Sequence, residues 1–132
     1  MKADNSAAHR LLVQETRKAL GREPDLTLWL NSKGRWDAGE FKSTPGLGKG
    51  SADIIGCLTV RAAVWDVTRN DNRTTDVGRF IALEAKTGSG RVSPEQKLFI
   101  ELVRKRGGFA ATFSTVDEAR ACIERARQGL CE

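Results

Sequence analysis

The chain has 132 residues, with 22 Lys+Arg against 17 Asp+Glu for a formal net charge of +5, and it is 39% hydrophobic and 30% charged. That length suits one domain, residues 1–132, with a single core, and the composition excludes a disordered polyelectrolyte. No apolar run nears the roughly 18 residues of a membrane span, the start Met1-Lys2-Ala3-Asp4-Asn5 carries no hydrophobic leader, and the basic excess favours a polyanion; a cytoplasmic protein without a membrane partner is expected.

Residues 6–20 form a predicted helix, because Ala8, Leu11, Leu12 and Ala19 recur at helical spacing and Gly21 stops it. Asp25 to Leu30 is a predicted strand, with Leu26, Leu28 and Leu30 alternating with Thr27 and Trp29. Residues 31–50 are a loop rich in Gly and in the bases Lys33, Arg35, Lys42 and Lys49, and such length without structure signals a functional segment. Its Gly-Lys step is not a phosphate-binding P-loop, since Ser43 stands where the first glycine is needed and Gly50 follows Lys49.

Ala52 to Leu58, running on to Val60, is a short apolar strand. Residues 61–77 either extend it or add another, around a turn at Asn70-Asp71-Asn72. Arg79 to Lys86 is the clearest strand, ended by Gly88 and Gly90. Ser93 caps a second helix with Pro94 in its first position and Gln96 in the capping-box position. Leu98, Phe99, Leu102 and Val103 supply its apolar stripe, and Gly107-Gly108 close it. Phe109 to Ser114 is the last strand. Thr115 caps a final helix, with Glu118 in the capping-box position and Ala119, Cys122, Ile123 and Ala126 on the buried face. The order α-β-loop-β-β-α-β-α describes an α/β chain. Cys57 and Cys122 are expected in the core, and no cysteine spacing suggests a metal or redox motif. The one histidine, His9, lies near a terminus expected to fray, so neither a His/Cys zinc site nor a Ser-His-Asp triad is expected.

Chemistry concentrates on the strand Phe80-Ile81-Ala82-Leu83-Glu84-Ala85-Lys86. Side chains alternate across a strand, so Ile81, Leu83 and Ala85 face the core while Glu84 and Lys86 share the other side. A carboxylate there can bind a hard cation, and the ammonium beside it can stabilise an anion. One carboxylate holds Mg²⁺ poorly. Asp53 is the natural second, because a charge opening the apolar run Ile54-Ile55 needs a reason. Glu15, spaced from Leu11, Leu12 and Ala19 along the first helix, is expected to project inward as a third. Gln96 can hydrogen-bond a water or a phosphate, and the start of its helix favours anions. Lys33, Arg35, Lys42, Lys49 and Arg91 are candidate phosphate contacts, and Trp36 and Phe41 can stack on bases. Alone, Glu84-x-Lys86 is equally an exposed ion pair of little worth; the ordered set of helix Glu, strand Asp, strand Glu-x-Lys and helix Gln singles it out.

That set, written as Glu15, Gly50-Ser51-Ala52-Asp53, Glu84-Ala85-Lys86 and Gln96 in a Ser-Pro-Glu-Gln-Lys helix start, resembles the PD-(D/E)XK nuclease superfamily. More closely it resembles the virus-type replication-repair nuclease (VRR-NUC) domain, from the first helix to Ser114. Ala52 departs from the proline usual there, and the segment between Asp53 and Glu84 is long. The resemblance implies a restriction-endonuclease-like αβββαβ core, with a mixed central sheet flanked by helices. It implies Mg²⁺ or Mn²⁺ held by Asp53, Glu84, Ala85 and Glu15. It further implies cleavage of structured or branched DNA, four-way junctions among them, by a homodimer. The alternative is a nuclease-like fold that binds nucleic acid without cleaving it.

Overall fold

The first helix, α1 (Lys2–Leu20), begins four residues ahead of its expected start. In the computed structural model, which describes residues 2–31, 36–38, 41–43 and 47–132, eight further strands and helices more than fill the expected order. They are β1 (Leu26–Leu30), β2 (Trp36–Ala38), β3 (Phe41–Ser43), β4 (Ile54–Asp66), β5 (Asp71–Ala85), α2 (Pro94–Lys105), β6 (Phe109–Phe113) and, last, α3 (Val116–Arg127). Among the described residues β1, β4, β5 and β6 form one sheet in the order β1-β4-β5-β6, while β2 and β3 pair separately inside the segment expected to be bare loop. The β1–β4 and β4–β5 pairs are antiparallel and β5–β6 is parallel. The series α1-β1-β4-β5-α2-β6 is therefore the expected αβββαβ core on a mixed sheet.

The open question over residues 61–77 resolves as extension. β4 and β5 stay in register from Ile54 opposite Leu83 to Asp66 opposite Asp71, and Asn70, with φ 54°, turns the chain. β1 pairs with β4 only as far as Leu58, and β6 pairs with β5 only from Ile81. The outer half of the β4–β5 hairpin thus leaves the sheet as a two-stranded ribbon.

Alternation divides the buried side chains between two faces. On one, Leu26, Leu28, Ile54, Leu58, Ile81, Leu83, Phe109 and Phe113 pack with Leu20 of α1 and with Ala119, Cys122, Ile123 and Ala126 of α3. On the other, Ala82 and Ala110 meet Ile100, Val103 and Phe99 of α2, together with Ala52. Covering both faces explains why Ile81–Ala85 is buried without a break, as a central strand between helical layers should be. The inner face of α2 keeps Phe99 and Val103 of the expected stripe and adds Ile100, whereas Leu98 and Leu102 are exposed. Cys57, expected in the core, is exposed while Cys122 is buried, because Cys57 points away from the face that holds Leu58.

Polar groups fasten the helix ends. Ser93 and Gln96 make the full capping box of α2. In α3 the Thr115 hydroxyl accepts from Glu118 N–H, but the Glu118 carboxylate reaches past the cap to Ser114 N–H at 2.6 Å. Arg79 donates to Gly107 O at 3.0 Å and Ala126 O at 2.7 Å, satisfying carbonyls at the ends of both helices. Arg127 joins α3 to the α1–β1 turn through both carboxylate oxygens of Asp25, each at 2.8 Å, and through Glu23. The guanidinium hydrogen bonds hold the Asp25 carboxyl below the usual carboxylate range. No helix among the described residues is long and apolar enough to cross a membrane.

Candidate metal and nuclease centre

The site forms at the end of the sheet where β4 begins and β5 ends. One step beyond the Ile54–Leu83 pair, Asp53 and Glu84 lie side by side on the face covered by α2. Each is fixed by the other's strand: Asp53 N–H donates to Glu84 Oε2 at 3.1 Å, and Ala85 N–H donates to Asp53 Oδ2 at 3.0 Å. Asp53 is 8% exposed and Glu84 3%. Two carboxylates so deeply placed are costly unless hydrogen bonds and positive charge compensate them.

Lys86 supplies part of that compensation. Its Nζ lies 3.7 Å from Glu84 Oε1 and donates to Gln96 Oε1 at 2.7 Å and to Arg91 O at 3.2 Å. Gln96 serves both readings of its position. Its oxygen accepts from Ser93 N–H at 2.9 Å to close the capping box, and its amide nitrogen donates to Glu84 Oε1 at 2.5 Å. The start of α2 is not an open anion site, however. Gln96 N–H is occupied by Ser93 Oγ, and Glu95 sits in the first turn.

The turn before Asp53 is locked from behind. Asn31, at the end of β1, donates from Nδ2 to Ser51 Oγ at 2.7 Å and to Ala52 O at 2.8 Å, and its Oδ1 accepts from Leu47 N–H at 3.2 Å. Ser51 Oγ in turn donates to Gly48 O at 2.6 Å. Gly50 has φ +87°, and a Cβ there would stand 2.6 Å from Glu95 Cβ. Glycine is therefore needed twice over, for the turn and for the contact with α2. Asn31 went unnoticed in the sequence, where its only signal was a polar residue ending an apolar strand, and Ser51 stood there only as part of the turn, without its hydrogen bonds.

The helical partner is His9, not the expected Glu15. Glu15 is exposed, whereas His9 Nε2 lies 3.0 Å from Asp53 Oδ2. The inner face of α1 runs through His9, Leu12, Val13, Thr16 and Leu20, spaced i, i+3, i+4, i+7 and i+11. Thr16 and Leu20 are fully buried and Leu11 is exposed. Counting Leu11 as core and omitting Thr16 rotates the stripe by roughly one residue step, ~100°, which brings Glu15 inward and turns His9 out. His9 is also eight residues into the helix region and is not at a frayed end.

The residues fit a divalent cation. One ligand atom each from His9, Asp53 and Glu84 lie within 4.8 Å of one another, and two carboxylates provide the hard oxygen donors such ions take. Ala85 contributes its amide to Asp53. Lys49 is exposed and lies 3.8 Å from Glu95; Arg91 is exposed beside Lys86. The side chains of Lys33, Arg35, Trp36, Phe41 and Lys42 lie outside the described residues. A cavity of about 790 Å³, lined by Val60, Val77, Phe80, Leu102 and Gly129 among others, opens at the opposite end of the sheet, away from the carboxylates.

Comparison with curated proteins and with solved structures found no match. The family model for the VRR-NUC domain matches residues 2–117, a span that holds His9, Asp53, Glu84, Lys86 and Gln96. The chain belongs to the VRR-NUC domain family, and its function is of the nuclease type.

Proposed function

We propose that the protein is a divalent-metal-dependent endonuclease acting on structured or branched DNA. The observation that carries this reading is the reciprocal pair of buried carboxylates, Asp53 and Glu84, with the Lys86 ammonium beside them. Asp53 and Glu84 hold the cation, Mg²⁺ or Mn²⁺. A divalent cation, when bound, polarises a phosphodiester and acidifies a water for in-line attack. Lys86 holds a positive charge where negative charge builds on the phosphate. Gln96 keeps Lys86 and Glu84 in place, because one amide bonds to both. Arg91 and Lys49, on the rim, are suited to phosphates of the same strand, and the net charge of +5 favours the polyanion as a whole.

The branched substrate and a homodimeric state rest on the family resemblance. Two copies related by a two-fold axis would present two such centres to two strands, as symmetric junction cleavage requires. The test is a gel of four-way junction, splayed and linear duplex DNA, each incubated with Mg²⁺, Mn²⁺ or EDTA. Metal-dependent strand breakage, strongest on the junction or the splayed DNA, is expected. Salt-sensitive retention of DNA with no breakage under any metal would point instead to a binding module.

A further inference from the structure

We infer that His9 is a direct nitrogen ligand of the cation held by Asp53 and Glu84, and that it makes the centre select Mn²⁺ over Mg²⁺. This rests on the proposed metal site and adds its third ligand and its ion preference. Three observations carry it. The first is geometric. Metal–ligand bonds of about 2.1 Å place neighbouring ligands of an octahedron about 3.0 Å apart. His9 Nε2 and Asp53 Oδ2, which hydrogen-bond to each other at 3.0 Å, already stand at that spacing. The second is construction. His9 continues the buried face of α1 that Leu12, Val13, Thr16 and Leu20 press onto the core, so the ring is carried to the carboxylates by a packed element. Its side chain is one-third exposed, so water, a usual outer partner of a ligating imidazole, can reach the ring. The third is substitution. The carboxylate expected from this helix, Glu15, is exposed and leaves the position to a nitrogen donor.

The chemistry of the donor set then decides the ion. Mg²⁺ is a hard cation that takes oxygen ligands and gives up its waters reluctantly. Imidazole raises affinity for transition-metal ions over Mg²⁺, with Mn²⁺ the member of that series that is equally at ease with carboxylates. A site of two carboxylates and one imidazole should therefore favour Mn²⁺, where a third carboxylate would leave the two ions closer to parity.

The chain has one histidine, so any imidazole nitrogen coupled to bound Mn²⁺ in the tag-free protein comes from His9. The experiment is pulsed electron paramagnetic resonance on Mn²⁺-loaded protein, natural abundance against ¹⁵N-histidine-labelled. It is paired with a Mn²⁺ titration competed by Mg²⁺ in wild type, His9→Gln, His9→Glu and Asp53→Asn. The expected result is ¹⁴N modulation in wild type, replaced by ¹⁵N on labelling and absent in His9→Gln. The preference for Mn²⁺ should be at least about tenfold in wild type and shrink several-fold in His9→Glu. Saturable Mn²⁺ binding that needs Asp53 but shows no nitrogen coupling, or an ion preference unchanged in His9→Glu, would overturn the inference and leave the nuclease reading intact. Absence of saturable binding, or binding undiminished in Asp53→Asn, would remove the metal site itself and both readings with it.

Discussion

Where Ile54 pairs with Leu83, β4 and β5 are buried on both faces; where Asp66 pairs with Asp71, the same two strands stand in solvent. The strands are continuous, so the difference lies in their neighbours. The inner end has β1 and β6 beside it and three helices against it. The outer end has only its own hairpin partner. Charge follows the same division. At the inner end, Asp53 and Glu84 are buried because main-chain amides, Gln96 and Lys86 meet them. Along the ribbon, residues 59–78, three arginines and three aspartates cancel, and pairs such as Arg61–Asp76 at 3.5 Å and Arg73–Asp66 at 3.2 Å are open to water. Such exposed pairs contribute little, whereas a buried carboxylate stripped of its partner is costly. One end of the hairpin is therefore built for chemistry, and the other is tolerant of change.

The comparison can be broken most sharply at Lys86. Replacing it with alanine should lower metal-dependent DNA cleavage by ~10²–10³-fold, the usual loss on removing one transition-state donor. Arg69→Ala at the ribbon tip should leave the cleavage rate within about twofold of wild type. Equal losses from both, measured as single-turnover rates, would show that the ribbon belongs to the site.

A second contrast concerns stability. Leu83→Ala empties a fully buried position and should cost about 2–5 kcal/mol. Val67→Ala, at a position 83% exposed, should change stability by less than about 0.5 kcal/mol. Denaturant midpoints with unchanged slopes would read both; a Val67 cost rivalling that of Leu83 would mean the ribbon is packed against something in solution.

The smallest effect sharpens the rule that buried polar groups at the inner end are partnered. Thr16 Oγ1 is buried and makes no hydrogen bond among the described residues. Thr16→Val keeps the shape and removes the orphaned hydroxyl, so it should raise stability by about 1 kcal/mol. A destabilised variant in thermal melts would mean that the hydroxyl has a partner, such as a buried water.

Local chemistry made much of this legible in the sequence. Alternation along Phe80–Lys86 placed Glu84 and Lys86 on one side and the three apolar residues on the other. Ser93, Pro94 and Gln96 marked the start of α2, and the stripe Ala119, Cys122, Ile123 and Ala126 is the buried face of α3 residue for residue. What stayed hidden depended on packing at a distance. Glu15 and His9 sit six residues apart on one helix, and which of them faces the carboxylates depends on where the sheet lies. Leu11, Leu98 and Leu102 are apolar but exposed, so hydrophobicity alone widened the helical stripes beyond the faces that Leu12, Phe99 and Val103 bury. Residues 61–77 carry strand-forming side chains without core alternation, because a free ribbon has no buried face to impose it. Asn31 matters only because the fold brings the turn at Ser51 and Ala52 against it.

The central claim is that Asp53 and Glu84 jointly hold a catalytic cation, and two isosteric substitutions test it most directly. Asp53→Asn and Glu84→Gln should each lower Mn²⁺-dependent cleavage of branched DNA by at least ~10³-fold, with far-ultraviolet circular dichroism unchanged and DNA retained in a mobility-shift assay. Cleavage by either variant within about tenfold of wild type, under the same metal, would contradict it.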